Sequence, residues 1–168
     1  MIKGWVYSMS DFLNKVITLV LIFIMLVIGP MLLSYSSTDM VAERLILNDV
    51  TQFIDKVTDK SIVTDYDIND LYLAVNSHGN SYNVEVARYQ LLEEPLPDGS
   101  TKLVYIRHDD MEKLVDGEDP DGMVELNIKD VVKVTVTETN ITPGKRLFWN
   151  ILRVDKGTFN FSLAGTVR

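Results

Sequence analysis

Asp116, Glu118, Asp119 and Asp121 place four carboxylates in six residues, the densest group of hard oxygen ligands in the chain. A calcium loop needs oxygen ligands at set spacings and a distal bidentate Glu. With Gly117 as the first loop position there is no carboxylate at position one, and position twelve is Ile128. The four carboxylates are therefore weak metal candidates, and a solvated turn fits them better. His78 and His108 are the only histidines, and neither has a partner at ligand spacing in the sequence. That makes a multi-histidine metal centre a poor expectation. The absence of cysteine excludes disulfides, thiolate metal sites and cysteine nucleophiles. Neither a G-x-S-x-G elbow nor a Gly-rich phosphate loop occurs. The expectation is a protein that is not an enzyme, with no cofactor and no small-molecule substrate.

The charge balance narrows the partners. Sixteen basic residues stand against twenty-four acidic ones, a net charge of −8 over 168 residues. Phosphate neutralisation needs clustered Lys and Arg, so nucleic acid is not an expected partner. The chain is 46% hydrophobic although 24% of its residues are charged. Its apolar residues must be concentrated somewhere.

Val16 to Tyr35 reads VITLVLIFIMLVIGPMLLSY, with no charge. Twenty helical residues at about 1.5 Å each reach roughly 30 Å, the thickness of a bilayer core. Val16 and Tyr35 are the expected limits of a membrane span, and the lipid bilayer is the first expected partner. A cleaved secretory signal is the main alternative, because Ser34-Tyr35-Ser36 offers small residues at the right spacing. The run exceeds the 7–15 residues of a signal core, which favours the anchor. A buried core helix is the third option. Pro30, after Gly29, removes one helical hydrogen bond and is expected to kink the span. Lys3 and Lys15 against Asp11 leave the first fifteen residues at +1, and the rest of the chain at −9. The positive-inside rule then places the N-terminus in the cytoplasm and the remainder outside. The expected address is the cell membrane, with a single pass and an extracellular C-terminal head.

Beyond the span the helical period continues. Val41, Leu45, Ile46, Val50, Phe53, Ile54 and Val57 trace one face of a helix, with charged residues on the other. Ser36 to Asp39 is expected to form a softer joint. Thr64 can cap a second helix, with Asp67 at the capping-box position and Gly79 past its end. Period-two runs predict strands from Tyr82 towards Leu92, Thr101 to Arg107, Val131 to Thr139 and Thr158 to Val167. A turn is expected at Pro97 to Ser100, a short helix within Asp109 to Val115, and a helix from Thr142-Pro143 through Leu152. The expected fold is α+β: a long N-terminal helix, first transmembrane and then an amphipathic stalk, with a small four-stranded antiparallel sheet. The boundaries are 1–15 for the cytoplasmic start, 16–35 for the span, 36–60 for the stalk and 61–168 for the head. Phe53 and Val57 are expected to pack on the sheet face that carries Val134, Phe159 and Phe161.

This layout resembles type IV pilins and pseudopilins, and most of all the TadE-like subunits of Gram-positive bacteria. The segments that carry the resemblance are FIDKVTDKSIV (53–63), GNSYNVEV (79–86), IKDVVKVTVTETNIT (128–142) and FNFSLAGTV (159–167). It implies a pilin-like fold and a role as a structural or assembly subunit of a Tad-type pilus or secretion apparatus. Its implied partners are other pilin-like or secretion-apparatus subunits. A pilin processing site has Gly, then an apolar run with Glu at its fifth position. After Gly4 the fifth residue is Met9, and Asp11 and Lys15 interrupt the run. An uncleaved anchor is the expectation. A membrane-tethered binding or adaptor module is the alternative function.

Overall fold

A computed structural model describes residues 2–97, 100–118, 121–141, 146, 149, 150 and 158–168. The chain is α+β. It packs as two units, one including residues 2–40, the other residues 41–141 and 158–168.

The first unit is helical. Helix α1 (Ile2–Phe23) passes into a π-helical segment (Ile24–Ile28) and then into α2 (Gly29–Lys60). The stretch Asp11–Met31 has a mean hydropathy of 2.5, and none of it is buried. By length and composition it is the one described helix able to cross a membrane. Val16 lies inside this stretch and Tyr35 beyond it. Phe12 and Leu13 are exposed and carry the apolar surface back past Lys15. Pro30 has no N–H to give, and its ring crowds the carbonyl one turn earlier. The chain answers with the wider π turn just upstream, where the Gly29 N–H reaches the Ile24 carbonyl. Helix α2 runs unbroken through Ser36–Asp39. There the Ser37 and Thr38 hydroxyls donate back to the Ser34 carbonyl, so local polarity does not open a joint.

The second unit is the head. Its remaining elements are β1 (Ile62–Thr64), α3 (Asp65–Asn76), β2 (Tyr82–Pro95), β3 (Thr101–His108), α4 (Asp110–Val115), β4 (Met123–Glu125), β5 (Val131–Glu138) and β6 (Asn160–Thr166). The main sheet is antiparallel in the order β3-β2-β5-β6. Val84, Val86, Val132, Val134 and Val136 sit at one parity of β2 and β5 and are buried. They share a core with Ile46, Val50, Phe53, Ile54 and Val57 of α2 and with Ile68, Leu71 and Val75 of α3. Phe159 and Phe161 pack against that core. The structure thus places Phe53, Val57 and Val134 in one buried cluster, with the two aromatic residues on its flank.

Three details depart from the sequence expectation. Among the described residues there are six strands in two sheets, because β1 and β4 pair separately through Val63 and Val124. Ala42 replaces Val41 in the core, and Val41 and Leu45 are about half exposed. The buried residues 42, 46, 50, 53, 54 and 57 follow a tighter line on the helix than hydrophobicity alone suggested. Phe159 precedes β6, although its carbonyl still accepts from the Glu138 N–H at 2.8 Å. Of the helix expected over 142–152, Arg146, Trp149 and Asn150 are helical, and the rest lies outside the described residues.

One glycine is fixed by packing. Gly165 of β6 lies opposite Val132, where α2 crosses the sheet. A Cβ there would run into the Ile54 Cγ2 and come within 3.3 Å of the Thr58 Cγ2. Only a bare backbone permits this approach.

Candidate functional site

The polar groups of the head form separate clusters, each tied to the frame. Arg88 lies at the inward parity of β2, after Val84 and Val86. Its Nη1 meets Asp110 Oδ2 at 2.6 Å, and its Nη2 meets Asp130 Oδ2 at 2.6 Å. Nε also donates to Asp130 at 2.8 Å. Asp130 is 1% exposed and accepts from the Asn127 N–H as well. Burial works against the Arg88 charge. The hydrogen bonds to Asp130 and Asp110 outweigh it and hold the guanidinium above its ordinary pKa. The triad ties β2 to α4 and to the start of β5. The sequence signal for it was an Arg in phase with buried valines.

Glu138 repeats the pattern at the far end of β5. It follows Val132, Val134 and Val136 in phase and is buried. It accepts from Asn80 Nδ2 at 3.0 Å and from the Phe159 N–H at 3.2 Å. Tyr82 and Phe159 close over this corner edge to face, with ring centres 6.2 Å apart.

The start of α3 is a reciprocal cap. Thr64 Oγ1 accepts from the Asp67 N–H at 3.1 Å, and Asp67 Oδ2 accepts from the Thr64 N–H at 3.3 Å. Lys56 Nζ meets the other Asp67 oxygen at 2.6 Å. Burial pushes the Asp67 carboxyl up, but the Lys56 and Thr64 hydrogen bonds together hold it below its ordinary value. The Asp67 hydrogen bond raises Lys56 in turn. The two residues border a cleft of about 250 Å³ between α2 and α3, which Asp49 and Asp70 also line. His78 Nε2 contacts Asp49 at 2.7 Å. That partner is 29 residues away, so spacing could not reveal it. His108 Nε2 is buried without a hydrogen-bond partner among the described residues.

Asp116, Gly117 and Asp121 of the acidic loop lie in turns. Gly117 and Gly122 both have positive φ, and the Gly122 carbonyl accepts from the Asp65 N–H at 3.1 Å. That bond continues the β1–β4 pairing by one residue on each side. Asp119 lies outside the described residues. Asp116, Glu118 and Asp121 are described, and no three His, Asp or Glu residues converge on a metal position among the described residues.

Two exposed surfaces carry large apolar residues. On the exposed Asp11–Met31 helix, Leu19, Phe23, Met25 and Leu26 all stand more than half exposed. In the head, the outer half of the β2–β3 hairpin extends past the core. Leu92 and Ile106 lie on one side of this ribbon, and Leu103 and Tyr105 on the other. Leu103 is 61% exposed and Tyr105 50%. The inner half of β2 is treated differently. The Tyr72 hydroxyl donates to the Val84 carbonyl, and Asn76 Oδ1 accepts from the Tyr82 N–H at 2.9 Å. Helix α3 thereby occupies backbone groups that β3 does not reach. Burial raises the Tyr72 pKa, and Glu85 and Asp116 add to the effect. The phenol stays a donor throughout the neutral range. No protein-family model, no curated protein and no solved structure matches the chain.

Proposed function

We propose that the chain is a single-pass, membrane-anchored structural subunit, a TadE-like pseudopilin that supports assembly of a Tad-type pilus or secretion apparatus. One observation carries this reading. The uncovered apolar stretch Asp11–Met31 precedes a helix, α2, whose later turns are core to an α+β head. The two stretches answer to different solvents, lipid for the first and a protein interior for the second. The pilin-like elements support it too: an apolar N-terminal helix and a small antiparallel sheet. The N-terminus lies in the cytoplasm and the head outside, on the charge asymmetry about the span. The partners are the bilayer and other pilin-like or secretion-apparatus subunits.

The test is affinity purification of the tagged full chain from native membranes in mild detergent. Co-purification of pilin-like subunits or of a secretion platform is the expected result. Recovery of an extracellular ligand with no such subunits would favour a membrane-tethered adaptor instead.

A further inference from the structure

We propose that β3 is a self-pairing edge, and that the occupant of its free side is β3 of a second copy of this chain, antiparallel about a two-fold axis through Val104.

Strand β3 ends the sheet order, and no backbone hydrogen bond reaches its outer side among the described residues. The direction of its free groups follows from the ladder. The Val84 carbonyl is taken by Tyr72 and so points away from β5. Alternation along β2 then turns the backbone groups of Arg88, Gln90, Leu92 and Glu94 towards β3. Their partners in register are His108, Ile106, Val104 and Lys102. The groups of Thr101, Leu103, Tyr105 and Arg107 therefore face the open side.

An antiparallel partner must match outward residues with outward residues. A second β3 centred on Val104 does this. Leu103 meets Tyr105, Thr101 meets Arg107, Lys102 meets Ile106, and Val104 meets itself. All seven residues from 101 to 107 find a partner, and no like charges face each other. A one-residue slip of the partner would set outward groups against inward ones. A centre at Tyr105 would set Lys102 against His108 and leave Thr101 outside the ladder.

The side chains favour the same occupant. Leu103 and Tyr105 are the most exposed apolar residues of β3, and the register brings them together twice, an aliphatic-on-aromatic cross-strand pair. Basic residues on an edge normally repel a second strand. Here Arg107 is held by Glu112 and by Glu85 at 3.0 Å, and Lys102 lies opposite Glu94. Both edge cations are thus balanced within the chain. A two-stranded ribbon past the core is marginal alone, and a second copy would make it four-stranded. The pairing uses the head only and stands apart from the pseudopilin reading.

The chain has no cysteine, so single substitutions report cleanly. In this register the two Val104 Cα atoms form a non-hydrogen-bonded pair about 4.5 Å apart. A disulfide accepts Cα separations of about 4.4–6.8 Å. The Ile106 Cα atoms of the two copies lie about 13 Å apart, four residues along the strand. Full-length Val104→Cys in detergent should therefore convert to a disulfide-linked dimer on mild oxidation, while Ile106→Cys should stay monomeric. Adding Leu103→Lys to Val104→Cys should abolish the cross-link, and the exposed site should leave the melting temperature unchanged. Three results would overturn the proposal: no dimer from Val104→Cys, equal dimer from Ile106→Cys, or capture of an unlike protein in its place in native membranes.

Discussion

Arg88 and Asp67 show how single polar residues hold this head together. Asp130 is almost fully buried, and Arg88 is its only cationic partner among the described residues. Removing one member of a buried pair strands the other charge and typically costs about 3–5 kcal/mol. Arg88→Met should lower the melting temperature accordingly, and Asp130→Asn in the same chain should restore part of the loss. A loss unchanged by the second substitution would assign the cost to packing. Asp67 gives a pH signature. Its folded pKa lies below the ordinary 3.8, so its stabilisation is complete above that value and fades as pH falls through the folded pKa. Lys56 is raised above 10.5, so its share is complete below that value and fades at more alkaline pH. Denaturant midpoints for the wild type should drop between pH 4 and pH 2 more than those of Asp67→Asn. Parallel curves would show that Asp67 acts only as a neutral cap.

At the scale of elements, the latter half of α2 is the main apolar cover of the sheet. Phe53 is 6% exposed and sits in the same cluster as Val134 and Val57. Truncating a buried Phe to Ala typically costs about 3–5 kcal/mol, a large share of a marginal stability. Phe53→Ala should cut the head's melting temperature sharply and leave the membrane fraction of the full chain unchanged. An unmoved melting temperature would mean that the ring faces a partner subunit. The elements show where sequence periodicity is informative. The Thr64 cap, α3 and the four long strands were legible, because each repeats a pattern over enough residues to be read. Strands β1 and β4 have three residues each, too few to show a period of two. The tie between His78 and Asp49 and the Arg88 triad depend on how distant elements meet. The phase of Arg88 with Val84 and Val86 marks it as inward-facing, but spacing along the chain does not name Asp110, Asp130 or Asp49 as partners. Position in the fold also decided Val41. It is as apolar as Val50 but lies one residue away from the buried line.

At the scale of the whole molecule, the proposed topology rests on charge. Lys3 and Lys15 are the basic residues near the start of the apolar helix. The positive-inside rule counts Lys and Arg near the span and gives little weight to acids. Past the span the first basic residue is Arg44, and Asp39 and Glu43 come before it. The flank that follows the apolar stretch is therefore poor in cations, as an exported segment should be. External protease on intact cells should degrade the head and spare a fragment of about the first 35 residues, the length that a bilayer-spanning helix and its short start would shield. Protection of the head until lysis would reverse the orientation. The basic flank supplies a second test. Replacing both Lys3 and Lys15 with Gln removes the bias without adding charge. If those two residues set the orientation, a fraction of the double variant should insert with its head inside and resist the protease. If the double variant orients as the wild type does, the head's own translocation governs topology, and the short N-terminal flank is only a tether.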